Sequence, residues 1–285
     1  MKFIGIDLGW QSGPSGLCCL TLSNDSSSPE DSPPLEKPLL EKPLPEQSLS
    51  LETLERKATL AEVLAWLDEI APPGTPAIVA VDAPTLIPNE TGMRVPDRLA
   101  HKYFGKYHAG CYPANLNRPF AQRLVQFGLD LETRGYAHAP VIEPQKAGRY
   151  QIEVFPHPAM IQLFNLSQIL KYKKGRLAQR AEALGQLRES ILTRLPTHNP
   201  PLQIESLPEI PTTGKALKAL EDQLDSIICA YVAAYWWFWG AERNLVLGDT
   251  SQECPCHRAT GYIVIPVPPN APVQVSATTI DLKSG

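Results

Sequence analysis

"FIGIDLGW" (Phe3–Trp10) decides how this chain is read. Phe3, Ile4, Ile6 and Leu8 make a strand apolar on both faces, and therefore central in its sheet. Asp7 then places a carboxylate where burial should continue, and Gly9 and Trp10 follow at once. Gly5 and Gly9 alternate onto the Asp7 face and leave room beside the acid.

Working outward, "GLCCLTL" (Gly16–Leu22) reads as a second strand, reached through the turn residues "QSGPS" and so antiparallel to the first. "AIVAVDAP" (Ala77–Pro84) and "RYQIEVFP" (Arg149–Pro156) are further apolar strands, and each carries an acid near its end, Asp82 and Glu153. Helical periodicity predicts a helix over Leu54–Ala71, helices at 157–170 and 176–195, and a long one at 215–240. "GYIVIP" (Gly261–Pro266) is a short late strand. Residues 24–48 are rich in Pro, Ser and Glu, with "LEKPL" twice, and read as a low-complexity surface loop. Residues 88–148 mix Pro, Gly and short helical patterns and read as an insertion, and 267–285 as a tail. Strands returning through helices predict a single α/β domain over 1–285 with a mixed sheet.

The chain has 285 residues, 43% of them apolar, enough for a substantial core. A net charge of −4 argues against coating nucleic acid through bulk charge and leaves a local basic groove open. Six cysteines without framework spacing predict reduced thiols in a cytoplasmic protein, and Met1–Ile6 is too short an apolar run, with no small-residue cleavage site, to read as a signal peptide. "IICAYVAAYWWFWGA" (Ile227–Ala241) is shorter than the ~20 apolar residues of a membrane span and reads as a buried helix.

Three strands ending on acids put Asp7, Asp82 and Glu153 at one sheet edge, where open α/β sheets bind ligands. Asp222 and Asp225, three apart on the long helix, add a fourth source of carboxylate. Gathered like charges repel unless protons or divalent cations hold them. Hard oxygen donors without His or Cys suit Mg²⁺ or Mn²⁺, and two such ions about 3.5–4 Å apart clamp the oxygens of a phosphodiester displacement. Each acid also has an ordinary role open to it. Asp7 and Asp82 fit as turn caps, Glu153 as the partner of an arginine, and Asp222 and Asp225 as a solvated helix face. "LKYKKGRLAQR" supplies Lys171, Lys173, Lys174, Arg176 and Arg180 for substrate phosphates, or a solvated helix start. Arg94, Arg98, Lys102 and Lys106 form a second basic run, with Tyr103, Phe104 and Tyr107 between them to stack on bases or to pack in a core.

At these residues the chain resembles the predicted RNase H-like nucleases of domain-of-unknown-function family 429. The matching pieces are "GIDLGW", "VAVDAP" with "GMRVPDR", "IEVFPHPAMIQLF", "YKKG", "LDSIICAYVAA" and "GYIVIP", in family order over nearly the whole chain. The resemblance implies an RNase H-like fold, a five-stranded sheet ordered 3-2-1-4-5 with flanking helices. It implies metal-holding acids at Asp7, Asp82, Glu153 and Asp225, with Asp222 beside them. By analogy with the superfold it implies hydrolysis of RNA or DNA to 5′-phosphate and 3′-hydroxyl ends. His157 matches the family pattern, as a proton-transfer aid or as a corner-orienting residue.

Two rival classes share the fold. An actin-like ATPase or sugar kinase opens with a similar "GIDLG", but "WQSGPSG" and "VDAPTLIPN" match its phosphate loops poorly. A non-catalytic nucleic-acid or protein-binding module keeps the acids without the chemistry. "CPCH" (Cys254, Cys256, His257) is half a zinc site and reads as a surface loop.

Overall fold

Strand β1 (Lys2–Asp7) alternates as its sequence demands. Phe3 joins a core on one face of the sheet, while Ile4, Ile6 and the following Leu8 join a core on the other. The computed structural model describes residues 1–24, 47–248 and 257–274; most of the Pro-rich segment 24–48, Cys254, Cys256 and the end of the tail lie outside them. β1 pairs antiparallel with β2 (Ser15–Asn24), and β2 pairs antiparallel with β3 (Gln47–Lys57). Helix α1 (Leu60–Ile70) follows, opened by a capping box in which Thr59 and Glu62 bond reciprocally.

Strand β4 (Ala77–Val81) runs parallel to β1. Helices α2 (Val95–Phe104) and α3 (Ala121–Thr133) lead to a two-residue strand β5 (Ala137–His138) and to β6 (Arg149–Glu153), parallel to β4. Next come α4 (Pro156–Phe164), α5 (Leu177–Arg194), the two-residue β7 (Leu202–Gln203) and the 26-residue α6 (Gly214–Trp239). The described chain ends with β8 (Asn244–Gly248), the short α7 (His257–Thr260) and β9 (Tyr262–Pro266).

The main sheet has seven strands in the order β5-β6-β4-β1-β2-β3-β7, not five. With the two-residue strands β5 and β7 set aside, the order is the expected 3-2-1-4-5. Two further expectations are corrected. Residues 54–57 belong to β3 rather than to a helix, because Leu54 and Glu55 extend the ladder to Cys18 and Leu17. The late strand β9 does not join the main sheet; it pairs with β8 as a separate hairpin, tied to the rest by a bridge between Val154 and Val264. Within 88–148, α3 is a structural layer and not an appendage, since Leu124, Phe127 and Leu131 build the core under β1 and β4. Residues 267–274 dock as well, with Gln162 of α4 exchanging hydrogen bonds of 2.8 and 3.0 Å with the Val273 backbone.

Helix α6 covers the opposite face and lies almost directly on the backbone of β1 and β2. A Cβ added to Gly5 would fall 2.0 Å from the Ser226 carbonyl oxygen, and one added to Gly16 would fall 1.9 Å from that of Asp222. Gly16 is the register partner of Asp7. The two glycines therefore set helix against sheet at the point where Asp7 ends its strand. Any side chain there pushes α6 away, and overpacking of this kind costs about 1–3 kcal/mol or more. Gly5→Ala should lower the thermal midpoint clearly, while Gly13→Ala, with nothing within 4 Å of its added carbon, should leave it nearly unchanged. Equal midpoints for both variants would contradict the close approach.

Candidate functional site

β1 and β4 end side by side, and the Asp82 N–H extends their ladder by donating to the Ile6 carbonyl at 2.9 Å. That register sets the partly buried Asp7 and Asp82 at adjacent strand ends, where two carboxylates disfavour each other's charge. Burial pushes Asp7 well above the usual carboxylate range; Lys173 opposes the shift, and Asp225, Asp82 and Asp222 add to it. Burial likewise pushes Asp82 up to about 7, opposed by Lys173 and reinforced by Asp225.

Asp225 is fully buried on α6. The Tyr172 hydroxyl donates to its Oδ1 at 2.6 Å, and Lys173 Nζ lies 2.8 Å from its Oδ2 as an ionic contact off the line of a hydrogen bond. Burial opposes the Lys173 charge, but Asp225 and Asp7 hold the ammonium protonated well past its ordinary range. Lys173, expected to bind substrate, thus stands among the acids.

Asp222, one turn earlier and also buried, has different partners. Its Oδ2 accepts from Arg56 Nε at 2.9 Å and its Oδ1 pairs with Lys218 Nζ at 2.7 Å. These three side chains, with Asp7, Gly9, Trp10 and Ser12, line an open cleft of about 420 Å³. Trp10 roofs the junction: its indole N–H donates to the Asp82 carbonyl at 3.0 Å, and its ring meets Phe120 edge-on at 4.9 Å. Gly9 allows the turn to close, since a Cβ there would collide with the Gly13 carbonyl.

Glu153 and Arg94 correct the expectation most directly. Arg94, expected at substrate, is 3% exposed and grips both oxygens of Glu153, at 2.8 and 2.6 Å, while it also binds Asp97. Glu153, expected on metal, is committed to that pair. Burial raises its carboxyl against the pull of Arg94. His157 sits at the start of α4, with its ring 5.7 Å from Tyr172 and its Nδ1 unpartnered. Burial, and then Lys173, lower it to about 4, so it is neutral near pH 7 and unsuited to carrying a proton there. Lys174 and Arg176 are exposed on the loop leading into α5. Lys218 was legible as a neighbour of Asp222 from its helical spacing, and Tyr172 from its place in "YKKG"; Arg56 was hidden by the misread strand.

Among the described residues, no group of three or more His, Cys, Asp or Glu side chains is set as a metal cage. The commitments of Glu153, Asp222 and Asp225 to internal cations and donors explain this. Nor is any helix among them long and apolar enough to cross a membrane. Cys18, Cys19, Cys111 and Cys229 are free thiols.

Two predictions follow from these ion pairs. Arg94→Met strands Glu153 and Asp97 without their cation and should cost about 3–5 kcal/mol by denaturant unfolding, whereas Glu153→Gln, which leaves Arg94 with Asp97, should cost less; the reverse order would contradict the pairing. Asp82, at about 7 in the folded state, titrates near 3.9 in the unfolded chain. Between those values the folded state binds more protons, so this contribution to stability is present at low pH and fades as pH rises toward 7. In EDTA, the drop in Tm from about pH 5 to about pH 8 should be smaller for Asp82→Asn than for wild type. An unchanged drop would contradict the shift.

Comparisons with known proteins agree with the family expected from the motifs. No curated protein matches the chain. Among solved structures, one described as "Thermus thermophilus RuvC structure" is similar at 14% identity, covering 81% of this chain and 96% of its own, with a TM-score of 0.36. The family described as "Protein of unknown function (DUF429)" matches residues 5–251, which take in the end of β1, all the acids discussed and the whole of α6. The chain belongs to that family.

Proposed function

We propose that this protein is a cytoplasmic Mg²⁺- or Mn²⁺-dependent nuclease on an RNase H-like fold, hydrolysing phosphodiester bonds of RNA or DNA. The observation that carries this reading is the meeting of Asp7 and Asp82 at the C-terminal edge of parallel strands, beside a cleft walled by Arg56 and Lys218. The order 3-2-1-4-5 of the five longer strands supports the fold assignment.

The donor set fits a hard divalent cation. Asp7 and Asp82 stand at adjacent strand ends and offer oxygen only, the donor type a hard cation takes. Asp7 and Asp82 would hold the ion. When bound, it supplies Lewis-acid stabilisation of charge on phosphoryl oxygens.

The chain's own residues do the rest. Arg56 and Lys218, braced by Asp222, present cationic hydrogen-bond donors to a backbone phosphate in the cleft. Trp10, fixed through its indole N–H, closes the site on one side and limits water. Asp225 orients Lys173 toward the acid pair, and Tyr172 fixes Asp225. Lys174 and Arg176, exposed beyond them, extend the positive surface along a strand.

The test is a panel of RNA, DNA, hybrid and branched substrates with Mn²⁺, comparing wild type with Asp7→Asn. Wild type should cleave at least one substrate, and Asp7→Asn should lose roughly 100-fold or more, as expected when several kcal/mol of charge stabilisation goes. Equal cleavage by both contradicts the assignment. Asp7-dependent ATP hydrolysis without cleavage of nucleic acid would also overturn it.

A further inference from the structure

Five acids gather at or near this sheet edge, and their oxygens are not equally free. Arg94 occupies both oxygens of Glu153. Arg56 and Lys218 occupy those of Asp222. Tyr172 and Lys173 occupy those of Asp225. Asp7 and Asp82, at adjacent strand ends, have no cation as a direct partner among the described residues.

Lys173 is the unusual member. Its side chain is 34% exposed along its length, yet its ammonium reaches the fully buried carboxylate of Asp225. Its charge also acts on Asp7 and Asp82. Asp7, Asp82 and Asp225 bring three carboxylates to the site, and Lys173 brings one ammonium. A single divalent ion held by Asp7 and Asp82 would leave the group close to neutral. A second would have to sit at Asp225, whose Oδ2 already faces the Lys173 ammonium at 2.8 Å and whose Oδ1 accepts from Tyr172.

We infer that Lys173 is the built-in second cation of this site, so that each chain takes up one divalent ion, at Asp7 and Asp82, rather than two. This rests on the metal-dependent reading above and puts one metal and one lysine where the sequence led us to expect two metals. The lysine does the neutralising work at Asp225 that a second ion would otherwise do, and it does so at any metal concentration.

The experiment counts Mn²⁺ per chain on metal-stripped protein, by calorimetric titration and by the fall in the free-Mn²⁺ EPR signal. Wild type and Lys173→Arg should bind one ion. Lys173→Met, with Asp225 released, should bind two. Two ions on wild type would overturn the inference and leave the metal-dependent reading intact. One ion on both wild type and Lys173→Met would show that the lysine does not hold the second place, and would overturn it too. No ion on any form would overturn the metal-dependent reading itself. Should Lys173→Met fail to fold, Lys173→Gln, which keeps a hydrogen-bond donor without the charge, takes its place, and the wild-type count stands on its own.

Discussion

Everything at this site depends on how closely α6 approaches the sheet. Helix and strand backbones ordinarily keep a layer of side chains between them; here Gly5 and Gly16 remove that layer, and the carbonyls of Ser226 and Asp222 occupy the space. The approach turns a helix acid, Asp225, into a neighbour of strand acids. It also buries Asp225 completely, which forces the protein to provide Tyr172 and Lys173 as partners. A cavity-sized separation at the same place would hydrate these groups and dissolve the coupling between them.

The consequence is a division of labour among like charges. An unpaired buried carboxylate is too costly to keep, so most of the acids are neutralised by fixed cations: Arg94 for Glu153 and Asp97, Arg56 and Lys218 for Asp222, Lys173 for Asp225. Asp7 and Asp82 are left without a fixed cation as direct partner among the described residues. Asp7 borders the open cleft beside Asp222, and Asp82 lines a smaller pocket beside Glu153 and Asp97. The committed acids share these walls but spend their charge on internal partners, which leaves Asp7 and Asp82 available to a ligand.

Much of this was legible because acids that interrupt apolar runs stand out. Asp7 and Asp82 close strands that would otherwise read as pure core, and Asp225 stands in α6 just before the apolar run that begins at Ile227. The hairpin turn and the returning helices gave the strand directions, while the order 3-2-1-4-5 came from the resemblance to the family. What could not be read was pairing across distance. Arg94 and Glu153 are 59 residues apart, and nothing local distinguishes an arginine bound for a carboxylate from one bound for a phosphate. β3 was lost because "LERK" fits a helix as well as a strand, and the ladder to β2 decides between them. The Thr59–Glu62 capping box, which marks the true helix start, was present in the sequence. Lys173 was placed on the substrate side because a basic run reads as surface; only its position against Asp225 turns one member of the run inward.

The most direct measurement is anomalous diffraction at the manganese edge from crystals soaked in Mn²⁺. A single strong peak in contact with carboxylate oxygens of Asp7 and Asp82, with Lys173 still paired to Asp225, is the predicted result. An empty map at that pair, or density only against acids already held by arginine or lysine, would contradict it.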